Sequence, residues 1–242
     1  MRVSLFITCL VDQLYPAVGA SAVEVLRRAG CEVVFDERQT CCGQPAFNTG
    51  YRNEARRLAR RFIEIFEEGE AEAVVSPSGS CTAMVRHFRE LFADDEPWLV
   101  RAEALAARTH EFGSFLVGVV GVEDVGASFK GRVTWHDACH GLRDLGIREE
   151  PRRLLRRVRG AEFVEMPNAD ACCGFGGTFS VKYPEISVAI LDNKIEAIER
   201  AGVRAVVSAD ASCLMQIGGR LARKSSPVRA LHLAELLAAR EE

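Results

Sequence analysis

Apolar positions along this chain follow two alternating rhythms. Short β-branched runs at Val3 to Thr8, Glu32 to Phe35 and Ala73 to Ser76 read as strands. Between them lie stretches of helical period. Ala17 to Arg28 reads as a helix stopped by Gly30. Tyr51 to Glu68 reads as an amphipathic helix with Leu58, Phe62, Ile65 and Phe66 on one face, and Cys81 opens another helix. The order then recurs. A strand around Val133 to Trp135 precedes a helical turn at Pro151, a strand at Glu162 to Glu165, a helix from Ser187 to Arg200 ended by Gly202, and a strand at Ala205 to Ser208. Strands alternating with helices predict an α/β fold.

The recurrence is a duplication. Leu5 to Cys9 answers Val133 to Cys139, Ala73-Val74-Val75-Ser76 answers Ala205-Val206-Val207-Ser208, and Ser80-Cys81 answers Ser212-Cys213. His110 and His232 also recur, each just ahead of a helical segment, where a capping or packing role is expected. A fixed offset of about 130 residues implies two copies of one structural unit. Each unit should be a small, mostly parallel sheet flanked by helices. The boundary is expected in the glycine-bearing stretch Gly121 to Lys130, dividing the chain into 1–128 and 129–242.

Cysteines follow the same frame. Cys41-Cys42-Gly43 and Cys172-Cys173-Gly174 are each bracketed by two outlying cysteines, Cys9 and Cys81 in one copy, Cys139 and Cys213 in the other. The spacings nearly match, 32 against 33 residues before the doublet and 39 against 40 after it. In a parallel sheet, loops after the strands share one edge and converge where ligands bind. Two equivalent four-thiolate sites are therefore expected. Cys31 has no counterpart and sits at a strand start, where a free cysteine acts as a small hydrophobe.

Four thiolates suit zinc or an iron–sulfur cluster. Structural zinc usually takes cysteines in C-x2–4-C pairs, and none occurs here. Side chains of adjacent cysteines diverge, so a doublet serves two irons of a cluster more readily than one tetrahedral ion. Gly43, Gly174, Gly176 and Gly177 permit close backbone approach to an inorganic core, with freed N–H groups aimed at sulfur. His136, Asp137 and His140 flank Cys139 and could tune such a centre or move protons, or could be ordinary loop residues. Cys9 has no neighbouring histidine, which argues against a shared ligand role for them.

Bulk properties exclude other classes. The net charge is −3 with basic residues spread along helices, so nothing favours nucleic acid. The arginine groups at Arg56 to Arg61 and Arg152 to Arg157 read as solvated helix faces. No run of 18 apolar residues predicts a transmembrane helix, and the N-terminus is apolar too briefly for a secretory signal, so a cytoplasmic setting with reduced cysteines is expected. No dinucleotide fingerprint or phosphate loop is present.

The paired cysteine framework resembles the cysteine-rich CCG domain family, whose domain is found twice in the corresponding component of heterodisulfide reductase and in the iron–sulfur component of glycolate oxidase. With Ser76-Pro77-Ser78-Gly79-Ser80-Cys81, Asp170 to Gly177 and no ferredoxin domain, the chain is most similar to the lactate-utilization branch of that family. The resemblance implies an iron–sulfur oxidoreductase component that acts with a ferredoxin-type iron–sulfur protein and a further subunit to oxidise L-lactate to pyruvate. It implies a [4Fe–4S] cluster in each copy. One departure matters: the reductase motif ends in Cys-x-x-Cys, whereas Ser78 and Asp210 stand at the earlier position here. Oxygen ligation by either residue, a conventional cluster, or zinc in one or both copies stays open. So do two other roles, a thiol/disulfide redox component like that of heterodisulfide reductase and a zinc-binding assembly scaffold.

Overall fold

The computed structural model describes residues 1–241. The first half runs β1 (Arg2–Leu5), α1 (Cys9–Leu14), α2 (Pro16–Arg28), β2 (Glu32–Val34), α3 (Gln44–Asn48), α4 (Arg52–Glu68), β3 (Ala73–Ser76), α5 (Gly79–Leu91), α6 (Glu96–Ala107), β4 (Thr109–Glu111) and α7 (Phe112–Phe115), which continues as a π turn over Leu116–Val120. The second runs β5 (Ser128–Trp135), α8 (Cys139–Arg143), α9 (Glu149–Leu155), β6 (Arg159–Phe163), α10 (Thr178–Lys182), α11 (Pro184–Ala201), β7 (Ala205–Ser208), α12 (Ala211–Arg223), β8 (Arg229–His232) and α13 (Leu233–Ala238). The two halves differ mainly by α6, which has no counterpart between α12 and β8.

Each half builds a four-stranded sheet in which every pairing is parallel, with orders β2-β1-β3-β4 and β6-β5-β7-β8. The fold is therefore α/β in two copies, as the alternation predicted. Both orders reverse direction beside the first strand, so the connections leaving β1 and β3, and those leaving β5 and β7, flank a crevice at the carboxyl edge.

Period-two alternation divides the strand side chains between two layers. Val3, Leu5, Ala73 and Val75 face inward with Val133, Trp135, Ala205 and Val207, forming one continuous core with Phe112, Phe115, Phe129, Leu154 and Leu233. That inner core belongs to both halves. Reciprocal helix exchange builds it, with α13 packed on α2 and α7 on α9. Outward, Phe6 and Val74 meet Phe62, Phe66 and Phe88 from α4 and α5, while Val206 meets Leu191, Ile195, Ile198 and Ile217 from α11 and α12. Burial of such aromatic and branched side chains contributes roughly 1.5–3 kcal/mol each. Cys31 is buried in the inner core, as its apolar setting suggested.

Two local readings are corrected, and short helices join the expected elements. The short helices α1 and α8, six and five residues long, begin at Cys9 and Cys139 and are too brief to show a helical period. Arg152 is not on a solvated face. Its guanidinium is buried and bonds both oxygens of buried Asp137 at 2.9 and 2.8 Å and both of Glu165 at 2.8 and 2.7 Å. The recurring caps are offset by one residue. Register pairs Ser76 with Glu111 and Ser208 with His232, so Glu111 rather than His110 is the counterpart of His232. Glu111 accepts from Gly113 and Ser114 N–H at the start of α7, and His232 Nδ1 accepts from Ala234 N–H at the start of α13. His110 instead lies beside the Phe115 ring.

His232 also ties the halves together through a 3.0 Å contact of Nε2 with the Pro77 carbonyl. With Nδ1 accepting, Nε2–H is the donor and the folded ring is neutral. Burial pushes the ring down to about 4. The unfolded chain takes the proton near 6.5, so this stability is intact above that pH and is lost as pH falls toward 4. Wild type should lose on the order of 2 kcal/mol more than His232→Asn between pH 7 and pH 5 in urea unfolding. Equal losses would contradict the assignment. Arg152→Ala leaves Asp137 buried and unpaired and should cost about 3–5 kcal/mol in the same measurement at pH 7.

Candidate metal centre

All eight framework cysteines line one cavity of about 270 Å³ between the carboxyl edges of the two sheets. Cys9 begins α1 and Cys139 begins α8, directly after the central strands. Cys81 and Cys213 occupy the third position of α5 and α12, after β3 and β7. The doublets come from the loops after β2 and β6. A larger open groove of about 530 Å³ near Arg86, His87 and His110 contains no cysteine, so the smaller cavity is where the thiol chemistry lies.

Within the first set, Cys9 and Cys41 sulfurs are 3.8 Å apart. Within the second, Cys173 and Cys213 sulfurs are 3.2 Å apart. All nine cysteines of the chain are free thiols. In both halves the second doublet cysteine and the helix-start cysteine are buried, and the other two reach toward solvent. Thiol–thiol hydrogen bonds split the first set. Donation from Cys42 and Cys9, with help from Gly43 N–H, pulls the Cys41 thiol down to about 3, while the same contact pushes Cys9 up. Cys42 is pushed up by its bonds to Cys41 and Cys81 and by burial.

Glycines divide by role. Gly43 and Gly174 have φ of 86° and 84°, and their N–H groups donate to Cys41 and Cys172 sulfur at 3.4 and 3.3 Å. They do not border the cavity. A Cβ on Gly174 would sit 2.4 Å from the Ser187 carbonyl of α11, so close packing of loop on helix requires glycine there. Gly176 and Gly177 do line the cavity. Residues from the two halves also cross over at its rim. Asp210 accepts from Ser80 N–H at 2.8 Å, from Ser80 Oγ at 3.2 Å and from Ser212 Oγ at 2.8 Å, placing its carboxylate at the positive end of α5. Ser78 Oγ accepts from Cys81 N–H and caps the same helix. Both residues at the altered motif position therefore hold helix starts.

The residues around Cys139 separate. Asp137 is taken by Arg152 and by Trp135 Nε1–H at 2.7 Å. His140 sits at the cavity rim, 2.5 Å from Asp144 through Nδ1 and 3.5 Å from Gln44 through Nε2. His136 is buried, and its ligand nitrogen lies with Cys173 and Cys213 sulfur in a group within 4.8 Å of one another. Neither ring nitrogen makes a hydrogen bond of normal geometry; the Ala169 carbonyl acts on the ring without meeting it. Burial, then the nearby Lys194 ammonium, push the ring down to about 3, against the opposing pull of Asp137 and the Ala169 carbonyl. Sequence comparison of the halves allows this histidine a tuning or proton-relay role beside Cys139 and argues against a shared ligand role, because no histidine stands beside Cys9. Buried Lys194, which donates to the Asn168 and Ala169 carbonyls at 2.6 and 3.1 Å, was missed because its helix reads as simply amphipathic.

Known proteins match along the whole chain. The family described as "Cysteine-rich domain", CCG, matches residues 3–86 and 133–218, one copy on each sheet. "Lactate utilization protein A" of Bacillus subtilis is 51% identical over 240 residues, covering 99% of this chain and 100% of its own length. The protein of the same name from Exiguobacterium is 50% identical over 236 residues, covering 98% of this chain and 96% of its own, and that of Geobacillus kaustophilus is 51% identical over 240. Among solved structures, a hypothetical protein from Helicobacter pylori superposes on all of this chain and 49% of its own with a TM-score of 0.68 at 10% identity, a likeness of fold. With both cysteine quartets in place on a duplicated α/β frame, the chain belongs to the cysteine-rich CCG domain family.

Proposed function

We propose that this chain is the iron–sulfur oxidoreductase component of an L-lactate-oxidising complex, working in the cytoplasm with a ferredoxin-type iron–sulfur protein and a further subunit. Each half is proposed to hold one cluster, of the [4Fe–4S] type, through Cys9, Cys41, Cys42 and Cys81 in the first and Cys139, Cys172, Cys173 and Cys213 in the second. The observation that carries the reading is the meeting of all eight free sulfurs on one cavity. The names of the relatives that match nearly the full chain support the lactate assignment. No helix among the described residues is long and apolar enough to cross a membrane.

The donor set fits such a group. The sulfurs are close but unbridged, and a backbone N–H meets the first sulfur of each doublet. When bound, a cluster supplies an electron-carrying couple whose potential depends on net charge, hydrogen bonds to sulfur and exposure. The chain controls each of these. Gly43 and Gly174 N–H groups offset negative charge on Cys41 and Cys172. Burial of Cys42, Cys81, Cys173 and Cys213 keeps water from one side of each quartet, while the exposed Cys9 and Cys172 face the side open to a partner. A shared cavity places the two quartets within one cavity width of each other, which suits passage of electrons between them.

After anaerobic purification, Cys42→Ser and Cys173→Ser should each lose about half of the bound iron, while Cys31→Ser keeps all of it. Unchanged iron in both doublet variants would contradict the ligand assignment. Reconstituted with its partner proteins, the chain should be reduced when L-lactate is added. Reduction of a heterodisulfide with no response to lactate would overturn the lactate reading.

A further inference from the structure

The two halves share a frame but not what lies behind the sulfurs. Phe6 N–H donates to the Val75 carbonyl at 2.9 Å, and His136 N–H donates to the equivalent Val207 carbonyl at 2.8 Å, so His136 occupies the place of Phe6. Ala55 N–H donates to Tyr51 carbonyl as Ser187 N–H donates to Tyr183 carbonyl, so Lys194, seven residues on, occupies the place of Phe62. In the first half the aromatic pair Phe6 and Phe62 packs edge to face at 4.7 Å, an apolar backing. In the second half the same two places hold an imidazole and an ammonium, both 1% exposed.

We propose that His136 is a nitrogen ligand of the second half's metal centre, whereas the first half's centre is held by thiolates alone; this rests on reading the quartets as metal centres. A buried imidazole with both nitrogens unpartnered costs free energy unless something occupies one of them. One of its nitrogens and the Cys173 and Cys213 sulfurs, two members of the second quartet, all lie within 4.8 Å of one another. Imidazole and thiolate together suit zinc and iron alike. His136 does not border the cavity, so it reaches the centre from the buried side and leaves the open face to Cys139 and Cys172.

Function follows from charge. A neutral imidazole adds a donor without adding a negative charge, and Lys194 places a positive charge near Cys173 and Cys213. Histidine ligation and reduced net negative charge both raise the potential of iron–sulfur centres. The second centre is therefore the easier of the two to reduce, and an electron shared between them settles in the second half.

The test uses full-length protein made with 15N-histidine, purified anaerobically and reduced. Pulsed electron paramagnetic resonance should show a strongly coupled histidine nitrogen in wild type and in Cys42→Ser, which retains only the second centre. His136→Phe, which installs the first half's own residue, should lose that coupling, and the midpoint potential of the second centre should fall. If the second half binds zinc, X-ray absorption at the zinc edge of Cys42→Ser should show the same nitrogen. Metal in Cys42→Ser without a histidine nitrogen, or a coupling that survives in His136→Phe, overturns the proposal. Wild-type protein without metal in either half overturns the underlying reading of the quartets as well.

Discussion

The inner core that joins the two sheets is the constraint on which the rest of the molecule depends. Val3, Leu5, Val133 and Trp135 from the central strands face one another across a layer of shared helices, and neither half encloses its apolar surface alone. Docking the sheets in this way brings their carboxyl edges to one cavity. Parallel pairing decides what stands at those edges, because every strand then ends on the same side. Sulfurs separated by up to 204 positions in sequence, Cys9 and Cys213, thereby line one space.

Polar contacts at the seam hold that geometry. Asp210 of the second half grips the start of α5 in the first, and His232 reaches the Pro77 carbonyl next to it. The first is part-buried and the second fully buried, so each costs more to break than a surface pair. Two residues near this seam stand where the related motif carries a further cysteine. Ser78 and Asp210 cap or brace the helix starts on which Cys81 and Cys213 sit, which directs those sulfurs without adding a thiolate.

Much of this was legible in the chain. Matching cysteine spacings revealed the duplication, and strand–helix alternation revealed the parallel sheets. Spacing shows sulfur positions because Cys9 and Cys81 follow directly on their strands and need no knowledge of distant packing. What stayed hidden involved partners remote in sequence. Arg152 looks like any helix arginine until Asp137 and Glu165 are placed against it. The pairing of Glu111 with His232 is masked by a one-residue shift that only strand register resolves. His136 drew notice for standing near Cys139, but its meaning comes from Phe6, an apolar residue at the matching strand end. A polar side chain where the sister copy has phenylalanine was the available signal, and Lys194 opposite Phe62 repeats it.

Eight thiolates are proposed to hold two inorganic clusters. Iron and acid-labile sulfide per chain, measured on anaerobically purified full-length protein, test it most directly. Two four-iron clusters predict about eight of each. Folded protein with neither element, whose cysteines all react as free thiols, would contradict it.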